Sequence, residues 1–68
     1  MTYKLLDNGL PKIGELCYFV RYNENEPVTG YLKDNTNVYI SYTGTTERLS
    51  KFKGYKPLIN SENKILSF

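Results

Sequence analysis

The sequence contains no histidine and no tryptophan, and its only cysteine is Cys17. General acid–base catalysis draws on histidine more than on any other side chain, and zinc sites are built mainly from histidine and cysteine. Neither the commonest proton shuttle nor a usual metal-ligand set is therefore at hand. A single thiol cannot form an intrachain disulfide. Long apolar runs are missing as well: no stretch approaches the roughly 20 apolar residues of a membrane-spanning helix. The N-terminal residues through Asp7 lack the apolar core and small-residue cleavage site of a signal peptide. With an unpaired cysteine, that points to a reducing compartment, most simply the cytoplasm. No membrane partner is expected.

Net charge is also scarce, at +2, too little to imply a nucleic-acid partner by itself. Its distribution is uneven. Arg48, Lys51, Lys53 and Lys56 fall in a stretch to Ile59 without an acidic residue, whereas Glu15 to Glu47 holds Glu15, Glu24, Glu26, Asp34 and Glu47 against only Arg21 and Lys33. A basic end and an acidic end are expected.

What the chain does have is aromatic rings. Seven tyrosines and three phenylalanines occur in 68 residues, a length that accommodates one domain, residues 1–68. Chains this short bury only about 60% of the surface their unfolded state exposes. With staples absent, dense aromatic packing is the available remedy, each ring burying on the order of 150–250 Å².

The pattern along the chain is that of short strands. Residues 7–14 read as a loop from Asn8-Gly9 and the flanking Pro11 and Gly14. Glu15–Tyr22 is the strongest strand, apolar on both faces. Residues 23–27 form a polar hairpin connection, and Val28–Lys33 a second strand in which Gly30 implies a bulge or bend. After a turn at 34–37, Val38–Thr43 makes a third, with Val38, Ile40 and Tyr42 on one face. Gly44-Thr45-Thr46 turns the chain again. Glu47–Lys53 fits a short helical turn or an irregular edge strand, and Ile65–Phe68 could close the sheet. The predicted fold is all-β: four or five antiparallel strands curled into a small, partly open, SH3-like barrel. The predicted core is Leu16, Tyr18, Val20, Leu32, Val38, Ile40, Leu49 and Leu58, with Tyr3 and Tyr55 closing one end.

Catalysis finds no set of groups. Asp7, Glu15, Asp34 and Glu47 fall in turns or at strand edges without a matching motif and read as solvated charges. Cys17, among Leu16, Tyr18 and Phe19, reads as a small hydrophobe. The glycines are dispersed and form neither a Walker loop nor a dinucleotide fingerprint. No enzyme activity, catalytic residue, cofactor or metal is expected.

Two features fit binding. Tyr31 and Tyr39 are strand tyrosines, and tyrosine serves interfaces because its ring is apolar and its hydroxyl finds a partner. Arg48, Lys51, Phe52, Lys53, Tyr55 and Lys56 interleave positive charge with rings. That mixture suits an acidic protein surface or, as an alternative, a groove that tracks a nucleic-acid backbone and stacks bases. The bland reading of the basic stretch is a solvated edge whose lysines discourage strand-to-strand aggregation.

Both ends of the chain carry short motifs that belong together. Tyr3-Lys4-Leu5-Leu6-Asp7-Asn8-Gly9-Leu10-Pro11 leads into Ile13-Gly14-Glu15-Leu16-Cys17-Tyr18, Gly30-Tyr31 follows, and Tyr55-Lys56-Pro57-Leu58 closes the run. In this the chain resembles a family of small phage and prophage proteins of uncharacterised function. They open with Trp where this chain has Tyr3 and close with Trp where it has Tyr55. The resemblance implies a phage or prophage accessory protein, which would bind and modulate or inhibit a host protein. A small nucleic-acid-binding barrel and a structural subunit of a virion or larger assembly, self-associating as a homo-oligomer, are the alternatives.

Overall fold

A computed structural model describes residues 3–24, 26–60 and 62–67. These residues form six strands: β1 (Lys4–Leu5), β2 (Cys17–Arg21), β3 (Pro27–Leu32), β4 (Asn37–Ile40), β5 (Thr45–Arg48) and β6 (Phe52–Pro57). Single 3₁₀ turns cover Leu6–Asn8 and Leu49–Lys51. All pairings are antiparallel, in the order β1-β6-β2-β3-β4-β5, with β1 and β5 as free edges. The meander β2–β5 is followed by a 3₁₀ turn, and β6 then returns beside β2. The result is the expected all-β, partly open barrel: an antiparallel sheet that curls without closing.

Curling shows most directly in an ion pair. Two strands separate β2 from β5, yet Arg21 of β2 grips Glu47 of β5 with two bonds, Nε–Oε1 at 3.1 Å and Nη2–Oε2 at 2.5 Å. A flat sheet spaces neighbouring strands about 4.8 Å apart, so three such steps lie beyond comfortable side-chain reach. The sheet must bend until its concave faces approach. The Arg21 guanidinium also lies 5.5 Å from the Phe52 ring centroid, and the Tyr22 N–H donates to the Lys51 carbonyl at 3.2 Å.

The concave face encloses Cys17, Phe19, Leu32, Val38, Ile40, Phe52 and Tyr55, with Leu6, Val28 and Leu49 packed against them. Ring stacking organises it: Phe19 meets Phe52 edge-on at 5.5 Å and Tyr55 at 6.4 Å. Each fully buried Phe, Leu, Ile or Val side chain stabilises such a core by roughly 1.5–3 kcal/mol.

Several expectations are corrected. In β2 the inward residues are Cys17 and Phe19, while Leu16 is 40% exposed and Tyr18 half-buried. A strand apolar on both faces has no alternation from which to choose the inward set. Val20 is buried, but outside the main cluster. Leu49 and Leu58 are only half-buried.

Strand β4 stops at Ile40, and residues 41–44 make the turn. Tyr42 therefore stands 88% exposed rather than in line with Val38 and Ile40. Thr45 and Thr46, expected in a turn, begin β5. The helical turn is present, but only at Leu49–Lys51. Six strands stand where four or five were expected, because β1, β5 and β6 are polar, short or glycine-bearing and give little strand signal in the sequence. At the C-terminus a single bridge joins Ile59 to Ile65 in place of a last strand; Phe68 lies outside the described residues, as does Asn25 of the β2–β3 connection.

Gly30 makes no bulge. Its register is continuous with both β2 and β4. A Cβ at this position would run into the Tyr39 carbonyl, so glycine serves close backbone approach instead. The irregularity lies elsewhere, on the other side of β2, between Val20 and Arg21 where it pairs with β6. Gly54 plays a similar part: the Tyr3 ring and the Lys4 carbonyl occupy the space that its Cβ would take.

Candidate functional site

Strand alternation sorts the singled-out residues onto two faces. Phe52 and Tyr55 point inward, 2% and 8% exposed. They are core residues, and burial raises the Tyr55 hydroxyl pKa above its ordinary value. The expectation of rings interleaved along an exposed basic segment is corrected accordingly. In β6 the register shift lets both aromatics face the core although they are three apart, a spacing that reads in sequence as helical or irregular.

The four cations of that segment do not converge. Arg48 ends β5 and is exposed; Lys51 is exposed in the following 3₁₀ turn. Lys53 is half-buried, its ammonium 6.0 Å from the Tyr3 ring centroid. Lys56 lies on the convex face, where its ammonium donates to the Ser67 carbonyl at 2.7 Å.

Tyr31 and Tyr39 are brought together. They sit directly opposite one another in the β3–β4 ladder, ring centroids 5.2 Å apart and planes tilted by 35°. Both are half-buried and face outward, since their neighbours Leu32, Val38 and Ile40 fill the core. The row continues to Thr46 of β5, opposite Tyr39. One step along the strands, Arg48 lies opposite Asn37 on the same face. One step the other way, Thr29 and Ser41 hydroxyls meet at 3.0 Å.

The convex face thus has two halves. Over β2 and β6 the C-terminal segment is tied down: the Tyr18 hydroxyl donates to the Leu66 carbonyl (2.7 Å), the Leu66 N–H to Leu58 (2.7 Å) and the Leu58 N–H to Leu16 (3.2 Å). Over β3 and β4 the Tyr31–Tyr39 pair stands half-buried, and the C-terminal bonds just named all go to β2, β6 and the residues that flank them. At the Arg48 end a pocket of about 350 Å³ opens between the N-terminal segment and the second 3₁₀ turn, with Leu6, Leu10, Leu49 and Phe52 as its apolar lining and Asp7 and Arg48 as its charged residues among other polar ones. A second hollow of about 260 Å³ lies between Tyr3 and Lys56.

Three charged groups have structural partners, Arg21, Glu47 and Asp34. Glu47, expected to be solvated, is tied to Arg21, whose hydrogen bonds hold the carboxyl below the usual glutamate range and raise the guanidinium pKa in turn. Asp34 accepts from the Thr36 and Asn37 backbone N–H groups and from both side chains, closing the β3–β4 turn. Those bonds, the Thr36 N–H foremost, lower its pKa. The Cys17 thiol is pushed up to about 12, first by burial and then by the charge of Glu15, so its nucleophilic thiolate form is scarce at neutral pH. Among the described residues no three His, Cys, Asp or Glu side chains cluster as a metal would require, and no helix is long and apolar enough to cross a membrane.

No family model, curated protein or solved structure matches this chain.

Proposed function

We propose that this chain is a non-catalytic protein-binding module of the cytoplasm that docks through the outer half-face carrying Tyr31 and Tyr39, with Arg48 and Lys51 at its edge. The supporting observation is the stacked, partly exposed tyrosine pair on the convex face, beside the half to which the C-terminal segment is bonded. Paired tyrosines offer a large apolar area with little conformational entropy to lose and keep two hydroxyls for polar contacts. The resemblance to phage and prophage proteins makes a host protein the partner, whose activity the bound module modulates or inhibits. The alternative of a base-stacking groove relied on Phe52 and Tyr55, and both rings are in the core.

The test is affinity capture from host-cell lysate with nuclease present, comparing the native chain with Tyr31→Ser/Tyr39→Ser. The expected outcome is a discrete protein retained by the native chain and lost by the double variant. Retention of nucleic acid alone, with every protein released on digestion, would overturn the proposal.

A further inference from the structure

Strand β5 ends the sheet, and its ladder shows which backbone groups face the open side. The Leu49 N–H donates to the Thr36 carbonyl at 2.8 Å, one step beyond the Asn37–Arg48 pair. Antiparallel ladders alternate bonded and non-bonded pairs. Bonds to β4 therefore fall at Thr45, Glu47 and Leu49. The same alternation holds between β3 and β4, where the Lys33 N–H donates to Asn37 and the Ser41 N–H to Thr29. The N–H and C=O of Thr46 and the N–H of Arg48 accordingly point away from the sheet without a backbone partner among the described residues, while the Arg48 carbonyl, at the cap of Leu49–Lys51, accepts the first bond of that turn.

This pair of open backbone sites borders two other features. Thr46 continues the Tyr31–Tyr39 row. Arg48 stands at the mouth of the pocket lined by Leu6, Leu10, Leu49 and Phe52. Arg48 is exposed there and Lys51 follows it, exposed, in the 3₁₀ turn; neither makes an ion pair among the described residues, whereas Glu47 and Asp34 are engaged elsewhere and Asp7 is the single acid lining the pocket. The local balance is positive.

We propose that β5 takes an extended segment of a partner polypeptide as a seventh, antiparallel strand, with an acidic side chain beside Arg48 and an apolar side chain following it into the pocket. Strand addition supplies affinity through main-chain bonds and selectivity through alternate side chains. The inference rests on the protein-binding reading above and gives the chemistry of that partner.

A second copy of this chain fits the edge poorly. Two-fold antiparallel pairing must place Thr46 opposite Thr46, Arg48 opposite Arg48, or Thr46 opposite Arg48 with Glu47 facing Glu47. The last two oppose like charges. The first leaves Arg48 opposite Gly44, whose N–H is already committed to the Ile40 carbonyl.

The test uses an array of eight-residue peptides rich in alternating Thr and Val. Each carries Glu, Gln or Lys at one position and Leu or Ala two positions on. Binding is read by fluorescence, and amide exchange of the full chain by NMR. The expected result is selective binding of the Glu/Leu peptides. Thr46 and Arg48 amides, fast in the free protein, slow on binding, while those of Thr45 and Glu47 are protected throughout. Arg48→Glu should shift preference from Glu to Lys by roughly five- to tenfold, the scale of reversing one cross-strand charge pair. Thr46→Pro should abolish binding while sparing the β4–β5 bonds, because it removes only an outward N–H; unchanged exchange at Val38 and Ile40 checks that the variant is folded.

Absence of binding by any peptide, binding without slowed exchange at Thr46 and Arg48, or slowing there that depends on protein concentration alone would each overturn the proposal. The lysate capture is read independently. A partner captured by the native chain and lost with Tyr31→Ser/Tyr39→Ser, but retained by Thr46→Pro, would remove strand addition and leave the protein-binding function standing.

Discussion

Among the described residues, two sets of packed rings are alike in contact and unlike in setting. Phe19, Phe52 and Tyr55 stack at 5.5 and 6.4 Å inside the curl of the sheet, and Tyr31 and Tyr39 stack at 5.2 Å on its outside. The inner rings come from β2 and β6, neighbours joined by the register shift beside Arg21. The outer rings come from β3 and β4, in an uninterrupted ladder. Ring-to-ring geometry therefore does not distinguish core from surface here; which face is concave does. The inner set loses nearly all of its contact with water and supplies the driving force for folding. The outer set keeps one side open, so its remaining apolar area is available to a partner.

The sharpest way to break the comparison is to truncate one ring of the inner set. Phe19 is fully enclosed, and Phe19→Ala is expected to cost about 3–5 kcal/mol. A chain of this length has a total stability of roughly 3–10 kcal/mol, so the variant should be largely unfolded or melt far below the native chain. Urea denaturation followed by far-UV circular dichroism measures this. A cost below about 1 kcal/mol would mean that Phe19 is not central to the core.

The next effect concerns the clamp that holds the curl. Glu47→Gln keeps the shape but removes the charge that Arg21 grips, and a loss of about 1–2 kcal/mol is expected for a charge-assisted pair that is mostly, though not fully, screened from water. The pH dependence has a definite sign. Arg21 depresses the Glu47 pKa in the folded state. Its contribution is therefore fully present above the ordinary glutamate range and is lost as pH falls through the lower folded value. The difference in stability between native chain and variant should shrink on acidification below the ordinary range. A difference that stayed constant through the acid limb would show that the clamp does not act through charge.

Smaller effects are expected on the outer set. Tyr31→Ser and Tyr39→Ser should each cost roughly 0.2–1 kcal/mol, the scale of one cross-strand pair, while removing partner capture. A loss comparable to that of Phe19→Ala would place these rings with the core after all. Tyr42, 88% exposed in the 41–44 turn, sets the baseline: Tyr42→Ser is expected to change stability by less than about 0.5 kcal/mol. A substantial drop in its melting temperature would show that the turn packs more tightly than its exposure indicates.

The strands most legible in the sequence were β3 and β4, where Leu32, Val38 and Ile40 alternate with polar or amphipathic neighbours and proved to be core residues. The β2 strand was legible in place but not in phase, because Leu16, Cys17, Tyr18, Phe19 and Val20 offer an apolar residue at every step. The polar strand β5 was missed for the opposite reason: Thr45-Thr46-Glu47-Arg48 has no apolar face at all. Its one signal was the pair of β-branched threonines after Gly44. In the binding set, Tyr31 and Tyr39 stand where strand parity puts them. Phe52 and Tyr55 do not, because the register shift in β6 breaks the rule of two on which such a reading depends.

Composition and local pattern determined the class of the protein: a small all-β sheet without staples, rich in rings, with a buried unpaired thiol. These follow from quantities that add along the chain, namely β-propensity, turn chemistry and the count of apolar side chains. Only the tertiary structure decided which rings became core and which became surface. That choice depends on the direction in which the sheet curls, and the curl depends on contacts between residues far apart in the chain. Arg21 meeting Glu47, Tyr3 lying over Gly54 and the Tyr18 hydroxyl holding the Leu66 carbonyl are the clearest of these. No local window contains both partners of any of them.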